Sequence, residues 1–281
     1  MKWSIARVVL AVLPLPLAAG CADALNAPYT TREMMDQGII YIMPGIQGVD
    51  YHYADIRKGL QEAGIHCAIA IHSWGSQVPG INILVNETDV SGNRAWGRTM
   101  AQEIQAYQRQ HPGRPVYMIG HSGGGAICVF TAESLARAGA RPIDGLVLLD
   151  ASLSADYDLR PALGQCRKGI INFYNFRDVG ALKFGTAIFG NLDGGHGDSA
   201  GQTGFKTDLP KLSQVRVTAD MLCPREGEHF AGTCAAFASR QIAPWIIDLA
   251  SAMSGRVLDE PSNPGPPRRF LASSSSARQG R

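Results

Sequence analysis

Beyond its first twenty residues the chain has no segment long and apolar enough to span a bilayer, which leaves no later membrane-spanning helix to expect. It has no pair of CxxC elements and no HExxH helix, so nothing in it implies a structural or catalytic metal. Internal repeats are missing and no linker divides the middle, so the 281 residues are expected to form one domain rather than two. A basic face is lacking too. The formal charge is +2, but Lys2 and Arg7 supply two charges at one end, and five arginines less Asp259 and Glu260 leave +3 after Gly255. The body between them carries about −3, with no basic cluster, and no nucleic-acid partner is expected.

What is present begins at the ends. Lys2 and Arg7 precede the apolar run Val8–Leu13 and the small residues Ala18, Ala19 and Gly20, the pattern of a signal peptide over residues 1–20. The apolar stretch is short for a spanning helix and contains Pro14 and Pro16. Leu17-Ala18-Ala19-Gly20-Cys21 resembles a bacterial lipoprotein box, with Ala18 where leucine is usual. That resemblance implies acylation of Cys21 and a lipid anchor on a membrane surface. Ordinary cleavage with Cys21 merely nearby is the alternative. Either way the expected location is outside the cytoplasm, in the periplasm or cell envelope. The other end, residues 254–281, holds Pro261, Pro264, Pro266, Pro267 and the run Ser273–Ser276, a composition that cannot bury enough apolar surface to order itself. The folded domain is therefore expected over 21–253.

Five cysteines remain after Cys21. Cys67 falls in an expected strand and Cys128 in an expected helix, where buried thiols are common. Cys223 and Cys234 flank His229, either as a disulfide in an oxidising compartment or as two free thiols.

Apolar runs alternate with helical spacing through the body. Strands are expected at Ile39–Met43, Cys67–Ile71, Pro115–Ile119, Leu146–Leu149, Ile170–Tyr174 and Val215–Thr218. Helices are expected at Ala54–Ala63, Asn93–Arg109, Gly124–Ala138 and Ala235–Leu249, the last kinked or split by Pro244. This order implies an α/β fold, a mainly parallel sheet with helices on both faces. In such sheets ligands bind beyond the carboxyl ends of the strands, so the residues after each apolar run are the ones that matter for function.

After the third strand stands Gly120-His121-Ser122-Gly123-Gly124, followed by a helix. This G-x-S-x-G, in the strand-turn-helix setting it requires, is a nucleophile elbow. The turn is so tight that a Cβ at Gly120 or Gly124 is expected to collide with neighbouring backbone, and the serine is forced into a strained conformation. On these residues and this order of elements, from about Gly38 to Leu249, the chain resembles the α/β-hydrolase superfamily of serine esterases and lipases. The resemblance implies a base and an acid C-terminal to the serine. His229, after the last strand, matches the base; His196 lies in a glycine-rich stretch that would hold a base poorly. Asp178, after the fifth strand, matches the usual acid, and Asp150, at the end of the fourth, is the rival position. One oxyanion donor is the N–H of Gly123. The other is carried over to Ile46 in the loop Pro44-Gly45-Ile46-Gln47-Gly48, or else falls to Gln47, because Pro44 stands where the family commonly has histidine.

These residues imply a two-step acyl transfer on a carboxylic ester or thioester, with no cofactor. The expected partner is a small-molecule or lipid ester. An acyltransferase on the same residues and a non-catalytic binding protein of the same fold are the alternatives, and an intact triad speaks against the second. Gly180–Pro210 is glycine-rich and carries Phe184, Phe189 and Phe205; a lid or substrate wall beside Asp178 and a long surface loop are equal readings of it.

Overall fold

The structure, a computed structural model, describes residues 24–78, 81–176, 190–223, 229–230 and 232–247. The signal segment, Cys21, Asp178, Phe184, Phe189 and the 254–281 tail lie outside the described residues.

Six parallel strands form one sheet, in the order β2-β1-β3-β4-β5-β6. They are β1 (Ile39–Met43), β2 (Ala68–Ile71), β3 (Val116–His121), β4 (Ile143–Leu149), β5 (Cys166–Tyr174) and β6 (Leu212–Arg216). β1 to β4 are buried along their whole length, as expected of strands covered on both faces, and this is why they appear in the sequence as unbroken apolar runs. β5 is exposed at Arg167, and β6 is the least covered. It is one of the two edges of the sheet, exposed at Ser213, Gln214 and Arg216, where β2 at the other edge is buried, and it starts three residues before the run expected at Val215–Thr218. An edge left open to water needs no continuous apolar run, and polar side chains there discourage pairing with other chains.

The longer helices are α1 (Tyr51–Glu62), α2 (Asn82–Thr88), α3 (Val90–Gln110) and α4 (Gly123–Arg137), with shorter turns α5 (Arg160–Gly164), α6 (Ala200–Thr203) and α7 (Ala235–Phe237). Alternate side chains of the strands feed two separate cores. Ile39, Tyr41, Val116 and Met118 pack with Met100 and Ile104 of α3 and with Ala126 to Leu135 of α4. Ile40, Ile42, Tyr117 and Ile119 pack with Tyr53, Ile56 and Leu60 of α1 and with Phe237, Ile242 and Ile246 near the carboxyl end. The expected arrangement, a parallel sheet with helices on both faces, is the one observed.

The C-terminal helix lapses into a π turn at Ala238–Ile242 directly before Pro244, and resumes as α-helix over 243–247. Proline has no N–H to donate and crowds the carbonyl four residues back, so a wider turn there is the expected accommodation. α2 is a helix that the sequence pattern does not announce. Cys223 and Cys234 are joined in a disulfide that closes the loop carrying His229; Cys67, Cys128 and Cys166 are free.

β1 is flanked by β2 on one side and β3 on the other, so the chain changes direction across the sheet between β1 and β3. The crevice at such a switch point is the natural place for a ligand. The 44–48 loop leaves β1 there, and Ser122 leaves β3.

Candidate active site

Ser122 sits between β3 and α4 at φ +52° and ψ −123°. A serine with positive φ is strained, at a cost of about 1–3 kcal/mol, and such strain persists only where the surroundings over-determine it. The surroundings do so through glycine. A Cβ on Gly124 would fall on the carbonyl oxygens of Met43 and Pro44, and one on Gly120 would fall on the carbonyl of Gly124. Both collisions are with backbone, as the sequence leads one to expect. Ser122 N–H donates to the Leu149 carbonyl at 2.9 Å, and its own carbonyl accepts from Ser152 N–H at 3.0 Å, so β4 fixes the turn from the other side. Serine at a helix N-cap usually spends its hydroxyl on a backbone N–H. Here it makes no such cap bond, and the hydroxyl stays at the mouth of α4.

The 44–48 loop is built against this elbow. Gly48 N–H donates to the Gly45 carbonyl at 3.1 Å, which makes Ile46 and Gln47 the two central residues of a tight turn. Ile46 Cγ2 lies 2.8 Å from where a Cβ on Gly123 would stand, with Trp74 and Leu192 each 3.1 Å away. Ile46 and Gly123 are thus brought side by side. Neither backbone N–H has a protein acceptor among the described residues. Leu192 belongs to the glycine-rich stretch after β5, so the described part of that stretch is a wall of the crevice as well as surface.

Four side chains that sequence reasoning left unassigned hold the loop. Trp74, two residues beyond His72 at the end of β2, donates from Nε1 to the Pro44 carbonyl at 2.7 Å. Asn86 of α2 donates from Nδ2 to the Ile46 carbonyl at 3.0 Å, and Asn82 donates to the Gln47 carbonyl at 3.2 Å. Tyr53 of α1 is buried, and its hydroxyl accepts from Gly45 N–H at 2.7 Å and from Gln47 Nε2 at 2.8 Å.

Tyr53 also meets His121 Nδ1 at 3.1 Å, while His121 Nε2 meets the His229 carbonyl at 2.8 Å. A carbonyl can only accept, so Nε2 carries the proton and Nδ1 is the acceptor for the tyrosine O–H. Burial, reinforced by the neighbouring His229 and His52, holds the His121 pKa well below the ordinary imidazole value, which keeps the ring neutral and this tautomer consistent. One side chain inside the elbow therefore ties together the 44–48 loop, the serine turn and the backbone of His229. The His121 and His229 rings stand 4.7 Å apart, with Phe230 packed on both. His196, by contrast, is exposed, in the segment after Gly190.

For the acid, the two expected positions fare differently. Asp178 lies outside the described residues. Asp150 is buried at the end of β4 with φ +46°, and its Oδ2 lies 3.9 Å from where a Cβ on Gly232 would stand, three residues past His229. Gly201 backs it so closely that a Cβ there would fall on the Asp150 backbone.

Among the described residues no cluster of three or more metal-ligating side chains occurs, and no helix is long and apolar enough to cross a membrane. No protein-family model and no curated protein matches the chain. Several solved structures are similar to it. A dienelactone hydrolase from Anabaena variabilis superposes with a TM-score of 0.48 at 15% identity, over 75% of this chain and 86% of that one. Est1E from Butyrivibrio proteoclasticus, solved with ferulic acid, gives 0.47 at 11% identity, over 79% and 93%. The RedJ thioesterase of the prodiginine pathway from Streptomyces coelicolor gives 0.39 at 13% identity, over 80% and 93%.

Proposed function

We propose that the chain is an exported serine hydrolase that cleaves a carboxylic ester or thioester, with Ser122 as nucleophile. The observation that carries the reading is the elbow: a strained serine at φ +52° whose hydroxyl is not used to cap its helix, held beside two backbone N–H groups with no protein acceptor among the described residues. In the first step His229 takes the hydroxyl proton as Ser122 Oγ attacks the carbonyl carbon. The N–H groups of Gly123 and Ile46 hold the oxyanion. The C–O or C–S bond to the leaving group then breaks, and His229 returns the proton to the departing alcohol or thiol. Water repeats the sequence on the acyl-enzyme and frees the acid. No cofactor enters.

Asp178 is proposed to hold His229 in the required tautomer. Asp150 is a second reading, favoured by its burial, its positive φ and a carboxylate directed to the loop after His229. The disulfide between Cys223 and Cys234 supports export to an oxidising compartment. Acylation of Cys21 and anchoring in the cell envelope are proposed from the sequence around it.

Turnover of a short activated ester tests the reading. Ser122→Ala and His229→Ala should each abolish it, and His196→Ala should leave most of it. Between the acids, the one whose change to Asn lowers kcat by orders of magnitude without moving the melting curve is the triad member. Full activity in Ser122→Ala removes the proposal.

A further inference from the structure

α2 is inverted. Its polar residues point inward: Asn86 and Glu87 are buried, and Asn82 and Asn86 hold the 44–48 loop by their amides. Its apolar residues point outward. Ile81, Ile83 and Leu84 are each 53% exposed, Val85 is 37% exposed, and Val78 just before the helix is 56% exposed. Burying amides and showing aliphatic side chains to water is unfavourable for an isolated globular protein, because the hydrophobic term runs the wrong way. We infer that this outward face docks on an uncharged lipid surface, next to the crevice that holds Ser122.

Two features select that occupant. The five side chains of this face expose on the order of 400 Å² of apolar area, as much as the largest patch of a typical monomer and short of the ~800 Å² per partner of a stable protein–protein interface. The charge nearby has the wrong sign for an anionic membrane. From Val78 to Asn93 there is no lysine or arginine, and the exposed charge at the end of the helix is that of Asp89. Arg94, the first cation beyond it, is turned onto Glu133 and the Phe130 ring. Binding to anionic lipid would normally draw on several Lys or Arg side chains.

A polarity-sensitive fluorophore on Leu84→Cys, with Cys21 and Cys67 changed to Ser, reports the environment of this face alone, whatever other part of the chain touches a membrane. A second protein labelled at Ser213→Cys, on the exposed edge strand across the sheet, is the reference. Both are made in the full chain. With phosphatidylcholine vesicles the Leu84 label should shift to the blue and brighten severalfold, and the Ser213 label should not. Substituting part of the lipid with phosphatidylglycerol should not strengthen the response. The same shift is expected when Ser122→Ala is added, so a failure of the hydrolase reading would leave this result standing. Equal responses at the two sites overturn the inference. So does a response that requires anionic lipid and vanishes with salt, and so does a shift that appears without lipid as the protein concentration rises, which would assign the face to a second copy of the chain.

Discussion

α4 and α2 grip the same loop from two sides, and they do it by opposite means. α4 approaches through absent side chains. Gly123 and Gly124 let its first turn lie against Ile46 and the carbonyls of Met43 and Pro44, and the rest of the helix is buried to Leu135. α2 approaches through amides, with Asn82 and Asn86 reaching the carbonyls of Gln47 and Ile46 while its aliphatic side chains face water. Close backbone approach is stiff and intolerant, because nothing can move aside. Side-chain hydrogen bonds are directional but can be replaced or relaxed, and each contributes only about 1 kcal/mol net. The elbow side should therefore be the rigid reference against which the α2 side is adjusted.

That difference predicts a ranking. Gly124→Ala should have the largest effect, since its methyl falls on two carbonyl oxygens; a loss of at least ~3 kcal/mol is expected, read as a fall in Tm of roughly 6–12 °C. A melting curve unchanged by that methyl would show that the elbow is not rigid. Asn86→Ala comes next. It strips a donor from the Ile46 carbonyl, the acceptor from the Ser76 N–H and one of two donors from the Ser76 carbonyl. About 1–3 kcal/mol of stability should go, with kcat for the short ester down roughly 10- to 100-fold as Ile46 loses its position.

The third effect depends on pH and belongs to the elbow. In the unfolded chain the His121 imidazole takes a proton near its ordinary value of about 6.5; in the folded chain burial keeps it neutral to well below that. The unfolded state then binds more protons, so stability falls as the pH drops below about 6.5, by up to ~1.4 kcal/mol per pH unit. His121→Gln, which can accept from Tyr53 and donate to the His229 carbonyl, should remove that slope. Denaturant midpoints of the two proteins between pH 7 and 5 provide the check, and parallel lines would refute it. The smallest effect is expected on the outward face of α2, where Leu84→Asn should change stability by no more than about 0.5 kcal/mol.

The residues differ in how openly the sequence displays them, for physical reasons. β1 to β4 are legible because a strand covered on both faces must be apolar throughout. The elbow is legible because only glycine fits at Gly120 and Gly124, so the need for close approach is written locally. β6 is displaced from its expectation because, unlike β2 at the other edge, it is open to water at Ser213, Gln214 and Arg216 and has no such requirement. Tyr53, Trp74 and Asn86 act on a loop 8 to 40 residues away, from Gly45, Pro44 and Ile46, and no local pattern marks a side chain for service at that range. α2 escapes a periodicity search because it is only seven residues long and its apolar residues Ile83, Leu84 and Val85 are contiguous rather than spaced as a stripe. His121 stands inside the motif, but its part as the tie among three loops becomes visible only once Tyr53 and the His229 carbonyl are placed around it.

The central claim is that Ser122 is a nucleophile, and covalent labelling tests it most directly. The purified protein is treated with a fluorophosphonate, digested, and the modified residue identified by mass spectrometry. The account predicts one modified site, Ser122, and no labelling of Ser122→Ala. Labelling that persists undiminished in that variant, or that maps to another residue, contradicts it.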